Sequence, residues 1–207
     1  MRESIAQSLT ELTARYPKLE PLHAQLAEAF RMLKDCYENG GKLLVAGNGG
    51  SCADAEHIVG ELMKKFRRRR AVPAAVAAKL PPDLVARLEG GLPAVSLVSM
   101  TSLLTAFAND VAWETAFAQQ VLALARPGDV LITLSTSGNS ANCVHAAEAM
   151  RAVGGVVVAF TGARPSALSR VADATIAVPE TETYRVQELH LPVYHALCAG
   201  VEQALFA

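Results

Sequence analysis

The chain has 207 residues, 51% of them hydrophobic and 19% charged, with a formal net charge of -1. This is enough apolar chain to bury one full core, and the near-neutral balance carries no electrostatic signature of a nucleic-acid or membrane-surface partner. No apolar run reaches the roughly 18 residues of a membrane span, and the stretch from Met1 to Gln7 lacks the apolar centre of a signal peptide, so a cytoplasmic protein is expected. Cys36, Cys52, Cys143 and Cys198 are scattered with no C-x-x-C pair, which argues against a disulfide framework or a thiolate metal site.

Two helices are predicted first, over residues 4–15 and 22–39. In the second, Leu22, Leu26, Ala29, Phe30 and Leu33 recur at helical spacing, and Asn39-Gly40-Gly41 supplies the stop. Strands are predicted at 43–46, 94–98, 130–134, 156–160 and 174–178. Each is a continuous apolar run rather than an alternating one, as expected of strands covered on both faces. Helices are predicted between most of them, at 51–66, 112–124, 142–153 and 166–171, with a long last helix over 183–205. The alternation predicts a single α/β domain, a doubly wound parallel sheet with helices on both sides. Residues 67–92 break the rhythm with four arginines at 67–70, Pro81-Pro82 and Gly90-Gly91, and one short helix is predicted there, at 83–88. The arginine run reads as a solvated helix end, where cations oppose the dipole favourably, or as a contact to an anionic ligand or a neighbouring subunit.

Two strand-to-helix turns carry the chemistry. The strand at 130–134 empties into Ser135-Thr136-Ser137-Gly138-Asn139-Ser140, and the strand at 43–46 into Gly47-Asn48-Gly49-Gly50-Ser51. Hydroxyls together with backbone N–H groups at a helix start form a phosphate cradle, because the unpaired N–H groups carry partial positive charge. In a doubly wound sheet such turns lie beyond the carboxyl ends of the strands, where ligands bind. A phosphorylated small molecule held between the two is the expectation.

Acid–base groups lie on two helices. His57 and Glu61 stand four apart, so they share one helix face. Gln187 and His195 stand eight apart, which leaves them about 80° around the axis, with Glu188 and His190 between them. Each pair alone is an ordinary structural feature, and the set gains chemical meaning only where the two helices meet near the turns.

These residues carry a resemblance. Gly47-Asn48-Gly49-Gly50-Ser51-Cys52-Ala53-Asp54-Ala55-Glu56-His57 with Glu61, Asn109-Asp110, the turn from Ser135 to Ser140, and Arg185-Val186-Gln187-Glu188-Leu189-His190 with His195 closely resemble the bacterial phosphoheptose isomerases of the sugar isomerase (SIS) domain superfamily. The match runs in order from about Leu22 to the end of the chain. The resemblance implies a flavodoxin-like five-stranded parallel sheet flanked by helices. It also implies a homotetramer with active sites at subunit interfaces, residues 1–40 serving oligomerisation.

By the same resemblance, Ser51, Ser135, Thr136, Ser137 and Ser140 bind phosphate, while Asn48, Gly49, Gly50, Asp110 and Gln187 contact substrate. Glu61 is the implied base and His195 its acid partner. Zinc is implied as an optional ion on His57, Glu61, Gln187 and His195, and no nucleotide cofactor is implied. The implied reaction converts D-sedoheptulose 7-phosphate to a D-glycero-D-heptose 7-phosphate, the manno epimer expected although no motif reports the C2 configuration. Two other functions stay open: a non-catalytic sugar-phosphate sensor or protein-binding member, and an isomerase of a six-carbon phosphate. Two departures stand out, a longer connection over residues 67–92 and Tyr184 where relatives carry a small or acidic residue.

Overall fold

The computed structural model describes residues 2–206, and side chains from residue 5 onward. In chain order the elements are helix α1 (Arg2–Arg15), a 3-10 helix at Pro17–Leu22, α2 (His23–Glu38), strand β1 (Leu43–Gly47), α3 (Gly50–Met63), the short helices α4 (Ala74–Ala77) and α5 (Pro82–Val85), and β2 (Ala94–Ser96). Then follow α6 (Thr101–Asp110), a 3-10 turn at Trp113–Thr115, α7 (Ala116–Leu124), β3 (Val130–Leu134), α8 (Ala141–Val153), β4 (Val156–Thr161), α9 (Leu168–Val171), β5 (Ala174–Ala177) and α10 (Thr183–Leu205).

The five strands form one parallel sheet in the order β2-β1-β3-β4-β5. Strand residues alternate between two cores because successive side chains leave a strand on opposite faces. Leu43, Val45, Val130, Ile132, Val158 and Phe160 pack under α1, α2, α3 and α10. Leu44, Ala46, Leu131, Val157 and Ala159 pack under α6, α7, α8 and α9. Both faces are therefore covered, which explains why the strands read as unbroken apolar runs. The chain leaves β1 toward β2 on one side and resumes as β3 on the other, so the sheet's switch point lies between β1 and β3.

The structure departs from the sequence expectations at several element ends. The helix expected over 51–66 stops at Met63, since Lys64 is extended. The helix expected over 112–124 begins as a 3-10 turn and becomes α-helical only at Ala116. α6 was not expected at all. Thr101, Ser102, Thr105, Asn109 and Asp110 give it a polar surface, and Leu104 is its one buried side chain, so it has almost no apolar period to read. Within 67–92 the helix expected at 83–88 is instead α5, opened by Pro82, whose fixed φ suits a first helical turn; α4 precedes it.

Candidate active site

The two turns lie side by side. β1 and β3 pair along their whole length, with Gly47 opposite Leu134, so the strands end together at the switch point. At the first turn Ser51 N–H donates to Asn48 O (3.0 Å) and Cys52 N–H to Gly49 O (3.0 Å), which folds the glycines directly into α3. At the second, Gly138 N–H donates to Ser135 O (2.9 Å), and Gly138 takes φ +65, with Ser166 packed where a side chain would stand. The buried Ser135 shares a hydrogen bond with Ser140 (Oγ to Oγ 2.9 Å). Ser137 is exposed and its Oγ accepts Asn139 N–H (3.2 Å), while the Thr136 carbonyl accepts Gly162 N–H (3.0 Å). The turns are also tied to each other: Asn48 and Asn142, the latter in the first turn of α8, exchange reciprocal amide bonds of 2.9 Å in each direction.

The acid–base groups gather where α3 and α10 cross. His57 Nε2 lies 3.2 Å from Glu61 Oε1 and 3.5 Å from His195 Nε2. Behind them, Tyr194 OH donates to Asp54 Oδ1 (3.2 Å) and lies 2.9 Å from His57 Nδ1. A phenol has one proton, so while Tyr194 donates to Asp54, His57 Nδ1 is the donor to the tyrosine oxygen. In that arrangement Nε2 of His57 meets Glu61 favourably only when one proton sits between them. Burial pushes the Tyr194 phenol up, and Asp54 pushes the same way. Burial likewise raises Asp54, partly offset by the Tyr194 bond and His57. The His195 imidazole is held below its ordinary value by burial and by His57, with Glu61 opposing. His57 is thus flanked by Glu61 on one side and His195 on the other.

Gln187 does not join this cluster. Its amide lies over Gly50, where a Cβ would stand 2.6 Å from Nε2. Asp110 is also apart: it is exposed at the end of α6, and among the described residues its side-chain hydrogen bond comes from Asn109 (2.8 Å). His190 turns into the core, with Nε2 3.3 Å from Thr161 O. Along α3, Ser51 and Glu61 are separated by a rise of about 15 Å, so the glycine turn and Glu61 occupy opposite ends of one helix. Beside His195 a cleft of about 780 Å³ opens between α1 and α10, lined among others by Leu12, Arg15, Tyr16, Phe66 and Leu191.

The donor chemistry here suits zinc in part. Donor atoms around a tetrahedral zinc with bonds near 2.0–2.1 Å stand about 3.3 Å apart, close to the His57–Glu61 and His57–His195 separations. Among the described residues, however, no three His, Cys, Asp or Glu side chains are arranged to hold an ion as they stand. The rings bond one another instead, and Gln187 lies away from them.

Comparison with known proteins decides the family. A model described as SIS domain matches residues 95–199, and a second of the same description matches residues 7–89. The chain is 39% identical over 207 residues to the phosphoheptose isomerase of Trichlorobacter lovleyi, covering 100% of this chain and 96% of that one. The chain belongs to the phosphoheptose isomerase family. Solved structures of family members agree over nearly the whole fold. The enzyme from Neisseria gonorrhoeae gives a TM-score of 0.76 at 32% identity, covering 98% of both chains. That from Francisella tularensis gives 0.77 at 30% identity, covering 94% of this chain and 93% of the other. As a phosphoheptose isomerase family member, the chain also presents site groups its sequence did not announce: Asp54 and Tyr194, which orient His57, and Asn142, which locks Asn48. Tyr194 stands next to His195 in sequence, and Asn142 stands in the first turn after the Ser135–Ser140 loop, yet only the fold shows what either touches.

Proposed function

We propose that this phosphoheptose isomerase family member interconverts D-sedoheptulose 7-phosphate and a D-glycero-D-heptose 7-phosphate, the manno epimer, through an enediol. The observation that carries the assignment is the convergence of His57, Glu61 and His195 at the α3–α10 crossing, on a sheet whose switch point holds one glycine-rich and one hydroxyl-rich turn. The turns bind the phosphate through Ser51, Ser135, Thr136, Ser137 and Ser140, which fixes the reacting end in register. Asn48, Gly49, Gly50, Asp110 and Gln187 line the sugar.

Glu61, with a side chain only 14% exposed, takes the proton from C1 as the C1–C2 double bond forms and the C2 oxygen gains a proton from His195. The enediol then collapses. His195 recovers a proton from the C1 oxygen, the C1 carbonyl forms, and Glu61 returns its proton to C2. A single carboxylate suits both transfers because it can reach C1 and C2 in turn and carry the same proton between them. His57, Glu61, Gln187 and His195 are the side chains that would hold a zinc ion after the rings turn and Gln187 swings from Gly50. Such an ion would supply a positive charge for the developing enediolate oxygen.

The active assembly is proposed to be a homotetramer with shared sites. The cleft beside His195 leaves one flank of the cluster open, and about 15 Å of helix rise separates the phosphate turn from Glu61. One copy gripping the phosphate while another supplies the base suits these distances. No helix of the described residues is long and apolar enough to cross a membrane, and the proposed location is the cytoplasm.

Proton NMR of the purified protein with sedoheptulose 7-phosphate, with and without zinc, tests the assignment. New aldose anomeric signals are expected, and their couplings identify the epimer. Glu61→Gln is expected to abolish them while the protein stays folded; normal turnover by that variant would remove Glu61 from the role of base.

A further inference from the structure

α3 ends on an unusual clasp. The last carbonyls of a helix have no intrahelical donor, and here two of them are taken by one buried side chain. Arg70, 1% exposed, donates from Nη2 to Glu61 O (3.0 Å) and from Nη1 to Leu62 O. The same guanidinium donates from Nε to Glu202 Oε1 (2.8 Å) and lies over the Phe206 ring (5.0 Å). Glu202, also 1% exposed, accepts three backbone N–H groups besides: Phe66 (2.8 Å), Arg67 (2.8 Å) and Arg68 (3.1 Å).

The placement of these two residues bears on the chemistry. Arg70 holds the main chain of Glu61 itself. Glu202 lies seven residues after His195 on α10, two turns along nearly the same stripe of the helix. Arg70 thus couples the backbone of the carboxylate to the helix carrying the imidazole. A buried ion pair is costly in desolvation, and an apolar replacement often serves stability as well. A helix end could also be closed by water or a glycine cap. What the clasp supplies beyond closure is a fixed spacing between two helices that share no backbone hydrogen bond.

We infer that Arg70 and Glu202 are positioning residues for isomerisation: they set the distance between Glu61 and His195 without touching substrate. This rests on the roles proposed above for Glu61 and His195. Loss of the clasp therefore slows the chemical step and leaves the phosphate grip, at the far end of α3, untouched.

The test uses the full chain with sedoheptulose 7-phosphate, recording kcat, KM and Tm. Arg70→Ala is expected to lower kcat about 100-fold, the scale of a small misplacement of reacting groups, with KM within about threefold of wild type. Millimolar guanidinium should restore part of kcat. Arg70→Lys should keep more of the Tm yet lose kcat about tenfold, since a point-charge ammonium does not reproduce the planar fork. Should Arg70→Ala not fold, the double variant Arg70→Met with Glu202→Leu removes both charges; it is expected to fold, with kcat lowered and no response to guanidinium. Wild-type kcat in any folded variant lacking the clasp, or a loss confined to KM, overturns the proposal. Glu61→Gln, assayed alongside, separates this outcome from failure of the catalytic assignment: turnover by Glu61→Gln sinks the base, whatever Arg70 does.

Discussion

Tyr194 joins Asp54 to His57 through a single hydroxyl. Because that hydroxyl has one proton and two neighbours, its direction is coupled to which nitrogen of His57 carries hydrogen, and so to what His57 presents to Glu61 and His195. Supporting partners of this kind fix ring orientation and tautomer, and their loss typically costs 10- to 100-fold in function. Tyr194→Phe keeps the ring packing against His57 and His195, at centroid distances of 5.5 and 5.0 Å, and removes only the hydroxyl. Its kcat is expected to fall about tenfold with the fold unchanged, measured by the same NMR assay and a thermal melt. Unaltered turnover would mean that His57 finds its orientation from Glu61 alone. Asp54 is exposed to the same logic from the other side: its Oδ2 is buried and has no partner among the described residues, so the bond from Tyr194 is the main polar support of that carboxylate.

Helices α3 and α10 show where the sequence was informative and where it was silent. The sheet was legible because each strand is an apolar run between turn residues, and burial on both faces produces that pattern and little else does. The two strand-to-helix turns were legible because glycine and hydroxyl residues gathered after an apolar run mark where a strand ends and a helix begins. By contrast, α6 was hidden, since a helix that buries only Leu104 leaves almost no periodic trace. The acid–base cluster was legible only as two separate pairs. Nothing in the spacing of His57 and Glu61 says that His195, 138 residues later, will lie beside them; the family resemblance supplied that link. The resemblance also gathered Gln187 into one ligand set with the histidines, whereas the helix crossing sets its amide over Gly50, a close approach permitted by the missing side chain. The Arg70–Glu202 clasp was equally out of view. Arg70 is the last of four arginines, and sequence gave no reason to single out the one that is buried from the three that are exposed.

At the scale of the whole molecule, stability should depend on pH through a group the chemistry does not use. His190 is fully buried beneath the sheet, with Nδ1 unpartnered among the described residues, and burial pushes its imidazole down to about 4. The unfolded chain takes up a proton near the ordinary value of 6.5, whereas the folded chain refuses it until about 4. The stabilisation is therefore complete above pH 6.5 and is lost as pH falls toward 4. Its size is about 3 kcal/mol by the usual conversion of a pKa difference. Urea unfolding across this window should give a steep acid-side decline that His190→Leu flattens; an equally steep decline in the variant would assign the effect to other groups.

Finally, α3 has a consequence for genetics. Ser51 stands at its first turn and Glu61 at its last, so a chain damaged at one end of this helix keeps the other end intact. Ser51→Asp, at the start of the helix, would repel phosphate from the proposed cradle, and Glu61→Gln, at its end, would remove the proposed base, each leaving its carrier inactive. If pockets are assembled from the grip of one copy and the base of another, co-expressing the two dead chains revives a fraction of the activity. If every copy works alone, the mixture stays dead. Two silent alleles would then report, through complementation, what no single chain can display.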